Sequence, residues 1–174
     1  CRIRQKPAEN PKLITARLIN LTEKEELEQI AFDEGVPVDY VHFRSERLAG
    51  LYVDGSVALK SGMTNTKTAD TLAEELGHHY TTVGNILDQT NTAARKQERA
   101  ARMWAYDKRI GLSGIIQGFR QHCRSRYELA ECLGVTEEFL QEAIECYKAK
   151  YGHIVELDGY IILFEPTLAV MEKF

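Results

Sequence analysis

Apolar residues along this chain recur at two different periods, and the switches between them mark out the elements. In 22–35, TEKEELEQIAFDEG, Leu27, Ile30 and Ala31 share one helical face, Thr22 stands at the N-cap and Gly35 ends the run. The next stretch, VPVDYVHF, is rich in β-branched and aromatic residues. It leads into LAGLYVDGSVALK, two short apolar runs either side of Asp54-Gly55, a dipeptide preferred in type I′ hairpins. Strands are expected near 38–43, 49–53 and 56–60. The helical period returns from about Thr66 to Val83, with Ala69, Leu72, Ala73, Leu76, Tyr80 and Val83 on one stripe and Gly84 and Asn85 suited to its end. After the polar loop DQTNTA, a helix is expected at about 92–109, another at 112–122, and a helix pair at 126–133 and 136–150. The final stretch, HIVELDGYIILF, carries a second hairpin signal at Asp158-Gly159.

This order of elements predicts an α+β fold. A small antiparallel or mixed sheet would pack on the helix at 66–83 within a core at 1–110. A helix-turn-helix-like region at 111–152 and a C-terminal β-hairpin and tail at 153–174 would follow. A length of 174 residues suits one domain, or one domain with a helical appendage. With 44% hydrophobic and 28% charged residues the composition is that of a soluble globular protein. No apolar run approaches the roughly 20 residues of a membrane span. The polar opening, CRIRQKPAENPK, lacks the pattern of a secretory signal, so a cytoplasmic setting is expected. Cys1, Cys123, Cys132 and Cys146 have no C-x-x-C spacing and read as reduced, mostly buried thiols. The net charge of −4 gives no global reason to expect nucleic acid as a partner.

Candidate chemistry concentrates in Glu74-Glu75-Leu76-Gly77-His78-His79. Residues four apart on a helix project from one face, so Glu74 and His78 form a pair able to ligate a transition metal. Glu75 projects at a different angle, beside such an ion. That is the arrangement of His-Glu-x-x-His, in which two side chains one turn apart bind zinc and the Glu serves as general base. Here Glu takes the first ligand position. A zinc hydrolase generally needs three protein ligands and leaves the fourth position for water. Glu98 is the third candidate, because Ala94, Glu98, Ala101 and Ala105 fall on one face of the next helix. Small residues there, and Gly77 opposite, would let the two helices approach closely. The same pattern also suits a solvated helix face, with Glu98 pairing with Arg102 at i,i+4.

These residues resemble the ImmA/IrrE family of metallopeptidases, common in phages and mobile elements. The similarity is ordered along 22–150, through DEGVPV, GLYVDGSVAL, LAEELGHHYTTVG and QERAARMWAY. The resemblance implies a zincin-like active-site helix, with Glu75 as general base, His78 a metal ligand and Glu98 the third ligand. Ala101, Trp104 and Ala105 match the motif of its second helix. Glu74 stands where the family carries its first His. Carboxylate oxygens bind zinc well, and an oxygen-rich set also leaves room for Mn²⁺ or Fe²⁺. Two anionic ligands leave less net positive charge to acidify a bound water.

The expected activity is metal-dependent peptide-bond hydrolysis, with Glu75 taking a proton from the attacking water and passing it to the leaving amine. The substrate would lie extended along the strand at 56–60. His79, Tyr80 and Tyr106 are candidates for orienting a ligand or helping at the oxyanion. The resemblance implies a protein substrate, a transcriptional repressor of phage or mobile-element genes. The alternative is an anti-repressor that binds such a repressor without cutting it. Glu128–Thr136 reads as a helix-turn-helix, yet Glu137, Glu138, Glu142 and Glu145 make its second helix acidic, which phosphates would repel. Neither nucleic acid nor membrane is therefore expected as a direct partner. Residues 94–109 carry a local basic face of Arg95, Lys96, Arg99, Arg102, Lys108 and Arg109.

Overall fold

The computed structural model describes residues 21–81 and 91–173. Its first helix, α1 (Glu23–Asp33), opens on a capping box: the Thr22 hydroxyl accepts from the Glu25 N–H, and the Glu25 carboxylate accepts from the Thr22 N–H at 2.7 Å. Leu27 and Ala31 are its buried residues.

Three short strands follow, β1 (Val38–Val41), β2 (Gly50–Val53) and β3 (Ser56–Lys60), in the spatial order β1-β3-β2. β2 and β3 are antiparallel about Asp54 and Gly55, whose φ angles of 48° and 79° are those a type I′ turn requires. β1 runs parallel to β3, so the sheet is mixed. β3 is therefore the central strand, paired on both sides. That corrects the expectation that a substrate would lie along 56–60, since among the described residues the sheet's edges belong to β1 and β2. One face of β3 puts Val57 and Leu59 into the core, wholly buried. Leu51 and Val53 project from the other face and are exposed.

The next helix, α2 (Asn65–Thr81), packs against this sheet through Ala69, Leu72, Ala73 and Leu76, all at most 1% exposed. The expected termination at Val83, Gly84 and Asn85 lies outside the described residues, as do the first three residues of the DQTNTA loop; its last three, Asn91 to Ala93, already belong to the next helix. α3 (Asn91–Arg109) runs beside α2. Ala101 and Ala105 are buried as the stripe required, but Ala94 is exposed; Ala93 is the more sheltered alanine of that turn.

Arg109 is also corrected. Expected on a basic outer face, it is 7% exposed and ties four segments together. Its guanidinium donates to Asp70 of α2 at 3.2 and 3.3 Å, to Glu23 of α1 and to the carbonyl of Gly134. The other Asp70 oxygen accepts from the N–H and hydroxyl of Thr136 at 2.8 and 2.9 Å.

Three more helices follow: α4 (Gly111–Arg120), α5 (Arg126–Leu133) and α6 (Glu137–Tyr151). Gly134, at φ 64°, closes α5, and the Thr136 hydroxyl caps α6 by accepting from the Phe139 N–H. The last strands are β4 (Ile154–Leu157), β5 (Tyr160–Leu163) and β6 (Ala169–Glu172), an antiparallel sheet in that order. The sequence signals only the β4–β5 pair. β6 is short and mostly exposed, so it shows no clean alternation.

A single cluster of buried apolar residues runs from Leu27 through Val57, Leu76, Tyr106, Leu140 and Ile162 to Phe164. The thiols depart from expectation: Cys132 is exposed and Cys123 and Cys146 are half-buried. On α5 it is Leu129 and Ala130 that face inward, which leaves Cys132 outside. Among the described residues no helix is long and apolar enough to cross a membrane.

Candidate metal centre and active site

α2 and α3 approach closely at Gly77. A Cβ at that position would stand 2.3 Å from the carbonyl oxygen of Ala101, so no larger residue fits while the two backbones keep their places. Gly77 immediately precedes His78, and Ala101 follows Glu98 by three residues. The contact therefore fixes the height at which the two side chains face one another: His78 Nε2 lies 3.4 Å from Glu98 Oε2. The other Glu98 oxygen accepts from Arg102 Nε at 2.7 Å. Arg102 also approaches Glu142 of α6 at 3.8 Å, and Glu142 in turn accepts from the buried Tyr106 hydroxyl at 2.9 Å.

Glu74, one turn before His78, is sheltered between these groups. Burial pushes its carboxyl up to about 7; the Arg102 charge opposes the rise, while Glu142 and Asp70 add to it. Glu75 turns towards the sheet. Burial pushes it up to about 7 as well, the backbone N–H of Tyr52 opposes by donating to it, and the charges of Glu74 and Glu98 add to the rise. Gly50 makes the space for this side chain: a Cβ there would lie 2.5 Å from Thr71 Cγ2 and 2.7 Å from Glu75 Oε1. The strand alternation explains why Tyr52 can serve Glu75. The Lys60 N–H donates to the Ala49 carbonyl, so with this register the backbone groups of Gly50 and Tyr52 point away from β3.

His79 points elsewhere, with its Nδ1 2.9 Å from the Tyr52 hydroxyl. Tyr80 stacks on Trp104 with ring centroids 4.7 Å apart, and burial together with the nearby Glu34 pushes its hydroxyl up to about 12. Tyr106 is wholly buried, and its hydroxyl is committed to Glu142.

Of the expected site residues, the structure brings His78 and Glu98 into contact and sets Glu74 and Glu75 in partly desolvated positions beside them. Among the described residues no three His, Cys, Asp or Glu side chains already converge as a group able to hold an ion. The chemistry of the donors nonetheless fits a divalent cation, since an imidazole nitrogen faces a carboxylate oxygen while two further carboxyls are held against their tendency to ionise. Gly50, Tyr52 and Glu142 belong to this neighbourhood and were not anticipated. Gly50 carried a readable signal, because a glycine inside a strand often marks close approach of another group.

No family model matches the chain, and no curated protein matches it.

Proposed function

We propose that the protein is a metal-dependent endopeptidase whose ion is held by Glu74, His78 and Glu98, with Glu75 as general base. The observation that carries this reading is the meeting of His78 and Glu98 across the Gly77–Ala101 contact, with the Glu75 side chain turned against Gly50 of β2. When bound, a zinc ion, or Mn²⁺ or Fe²⁺, polarises the scissile carbonyl and lowers the pKa of water. Glu75 takes the proton of the attacking water on a carboxylate oxygen and delivers it to the departing amine. The Tyr52 N–H holds that carboxylate in place, and Arg102 orients Glu98. An extended substrate fits the edge of β2, where the outward carbonyls of Gly50 and Tyr52 adjoin Glu75 while the Tyr52 N–H stays with that carboxylate. Together with the resemblance of the motif helices, this supports a zincin-like active-site helix acting on a protein substrate, a repressor of phage or mobile-element genes.

The second reading is an anti-repressor that binds without cutting. The Arg102–Glu98 ion pair favours it, because it occupies a carboxylate the metal needs. Elemental analysis of the purified protein and cleavage assays on phage repressors and casein, with and without chelator, separate the two. Stoichiometric metal, chelator-sensitive cleavage and its loss in Glu75→Gln support the peptidase. Binding of a repressor that stays intact, by a protein with no metal, supports the anti-repressor.

A further inference from the structure

A second concavity shares none of its lining residues with the candidate metal centre. It is a groove of about 800 Å³ between the α4–α5–α6 helices and the edge of the C-terminal sheet. Its apolar lining includes Ile115, Leu129, Ile144 and Phe164, and Val170 of β6 forms part of the wall. Arg124 and Arg126 also line it. Neither guanidinium makes an ion pair among the described residues: Arg126 donates to the Gln141 amide oxygen, and the nearby Glu128 carboxylate is occupied by the backbone N–H of Arg124. A chain of net charge −4 thus presents two guanidinium groups to an apolar groove.

The strand beside the groove decides the class of occupant. Among the described residues β6 has a neighbour on one side only. The Lys173 N–H donates to the Gly159 carbonyl, so with this register the backbone groups of Val170 and Glu172 point away from β5. Val170 pairs with the wholly buried Ile162, so its side chain projects on the helix-facing side of the sheet. A strand added beside Val170 would send every second side chain towards the same side, over the groove. A fatty acid would fill the apolar floor but leave the edge N–H and C=O groups of β6 unanswered; a peptide answers both.

We propose that this groove docks an extended segment of a partner protein, apolar at alternate positions and carrying carboxylates at the end nearest Arg124 and Arg126. The segment adds a fourth strand to the C-terminal sheet. This inference does not depend on the metal site.

The test uses the full chain and a fluorescein-labelled peptide of alternating valine and threonine ending in two aspartates, followed by anisotropy. Saturable binding is expected, weakened at least tenfold by Arg124→Glu with Arg126→Glu, and weakened similarly when the aspartates are replaced by lysines. Val170→Pro removes an N–H that β5 does not use, so it should abolish binding while the fold, followed by circular dichroism, persists. If Val170→Pro unfolds the protein, Val170 N-methylation by chemical ligation supplies the same deletion. Absence of saturable binding, equal binding of the lysine peptide, or binding indifferent to the arginine and edge changes overturns the proposal. So does binding that appears only after residues 1–20 are removed, since the groove would then belong to the chain's own segment.

Discussion

Glycine at position 77 decides how near His78 and Glu98 can come. A methyl group there would press on the Ala101 carbonyl, and a helix backbone cannot turn aside as a side chain can. Gly77→Ala should therefore cost about 2–3 kcal/mol, at the upper end of ordinary overpacking. In a thermal melt that is a fall of roughly 5–10 °C for a domain of this size. A change under 2 °C would mean that the helices are not held at this spacing. Glu75 carries the opposite tension. Its carboxyl is raised from 4.5 to about 7, so the folded state favours the protonated form. The stability linked to that proton is fully present below about pH 4.5 and is lost as pH rises through about 7. Glu75→Gln should consequently stabilise the metal-free protein at pH 8, on the order of 2 kcal/mol, and change little at pH 4.5. The same substitution should abolish cleavage while leaving metal uptake intact. Equal melting temperatures of variant and parent at both pH values would show that Glu75 bears no such strain.

Among the elements, those with strong periodicity were the legible ones. α2 announces itself through Ala69, Leu72, Ala73 and Leu76, and both Asp-Gly turns through their need for positive φ. The pairing of β1 with β3 was not legible. Nothing in VPVDYVHF distinguishes a parallel neighbour from an antiparallel one, because that choice is made by the crossover geometry and not by the strand itself. Arg109 was misread for a similar reason. At the end of α3 it continues a run of exposed cations, and only the arrival of Asp70, Glu23 and Gly134 from three other segments makes it a buried tie. At the site, the i,i+4 spacing of Glu74 and His78 was visible, whereas the support from Tyr52 and Glu142 depends on sheet register and on the distant α6. Arg109→Met should leave Asp70 as an uncompensated buried charge. The expected loss is about 3–5 kcal/mol, read from urea denaturation. Asp70→Asn in the same background should recover part of it, since the stranded charge is then removed. Additive losses would argue against coupling between the two.

On the scale of the whole molecule, one apolar core links the first sheet to the last, so stability gained at the candidate metal centre is stability of the entire domain. A cation that binds only the folded chain adds RT ln(1 + [L]/Kd), about 2.7 kcal/mol at a hundredfold excess over Kd. Zinc or manganese should accordingly raise the melting temperature by roughly 5–10 °C, and a chelator should reverse the rise. Glu74 and Glu75 fix its pH dependence. Both carboxyls sit near 7, so at pH 6 protons compete with the ion, whereas at pH 8 the ion also relieves the repulsion between the two carboxylates. The metal-induced rise should be larger at pH 8 than at pH 6. It should vanish in His78→Ala and in Glu98→Ala, and persist in Arg124→Glu, which lines the separate groove. A rise that survives loss of both His78 and Glu98 would place the ion elsewhere on the protein. No rise with zinc, manganese or ferrous iron would leave the His78–Glu98 contact as a structural pair.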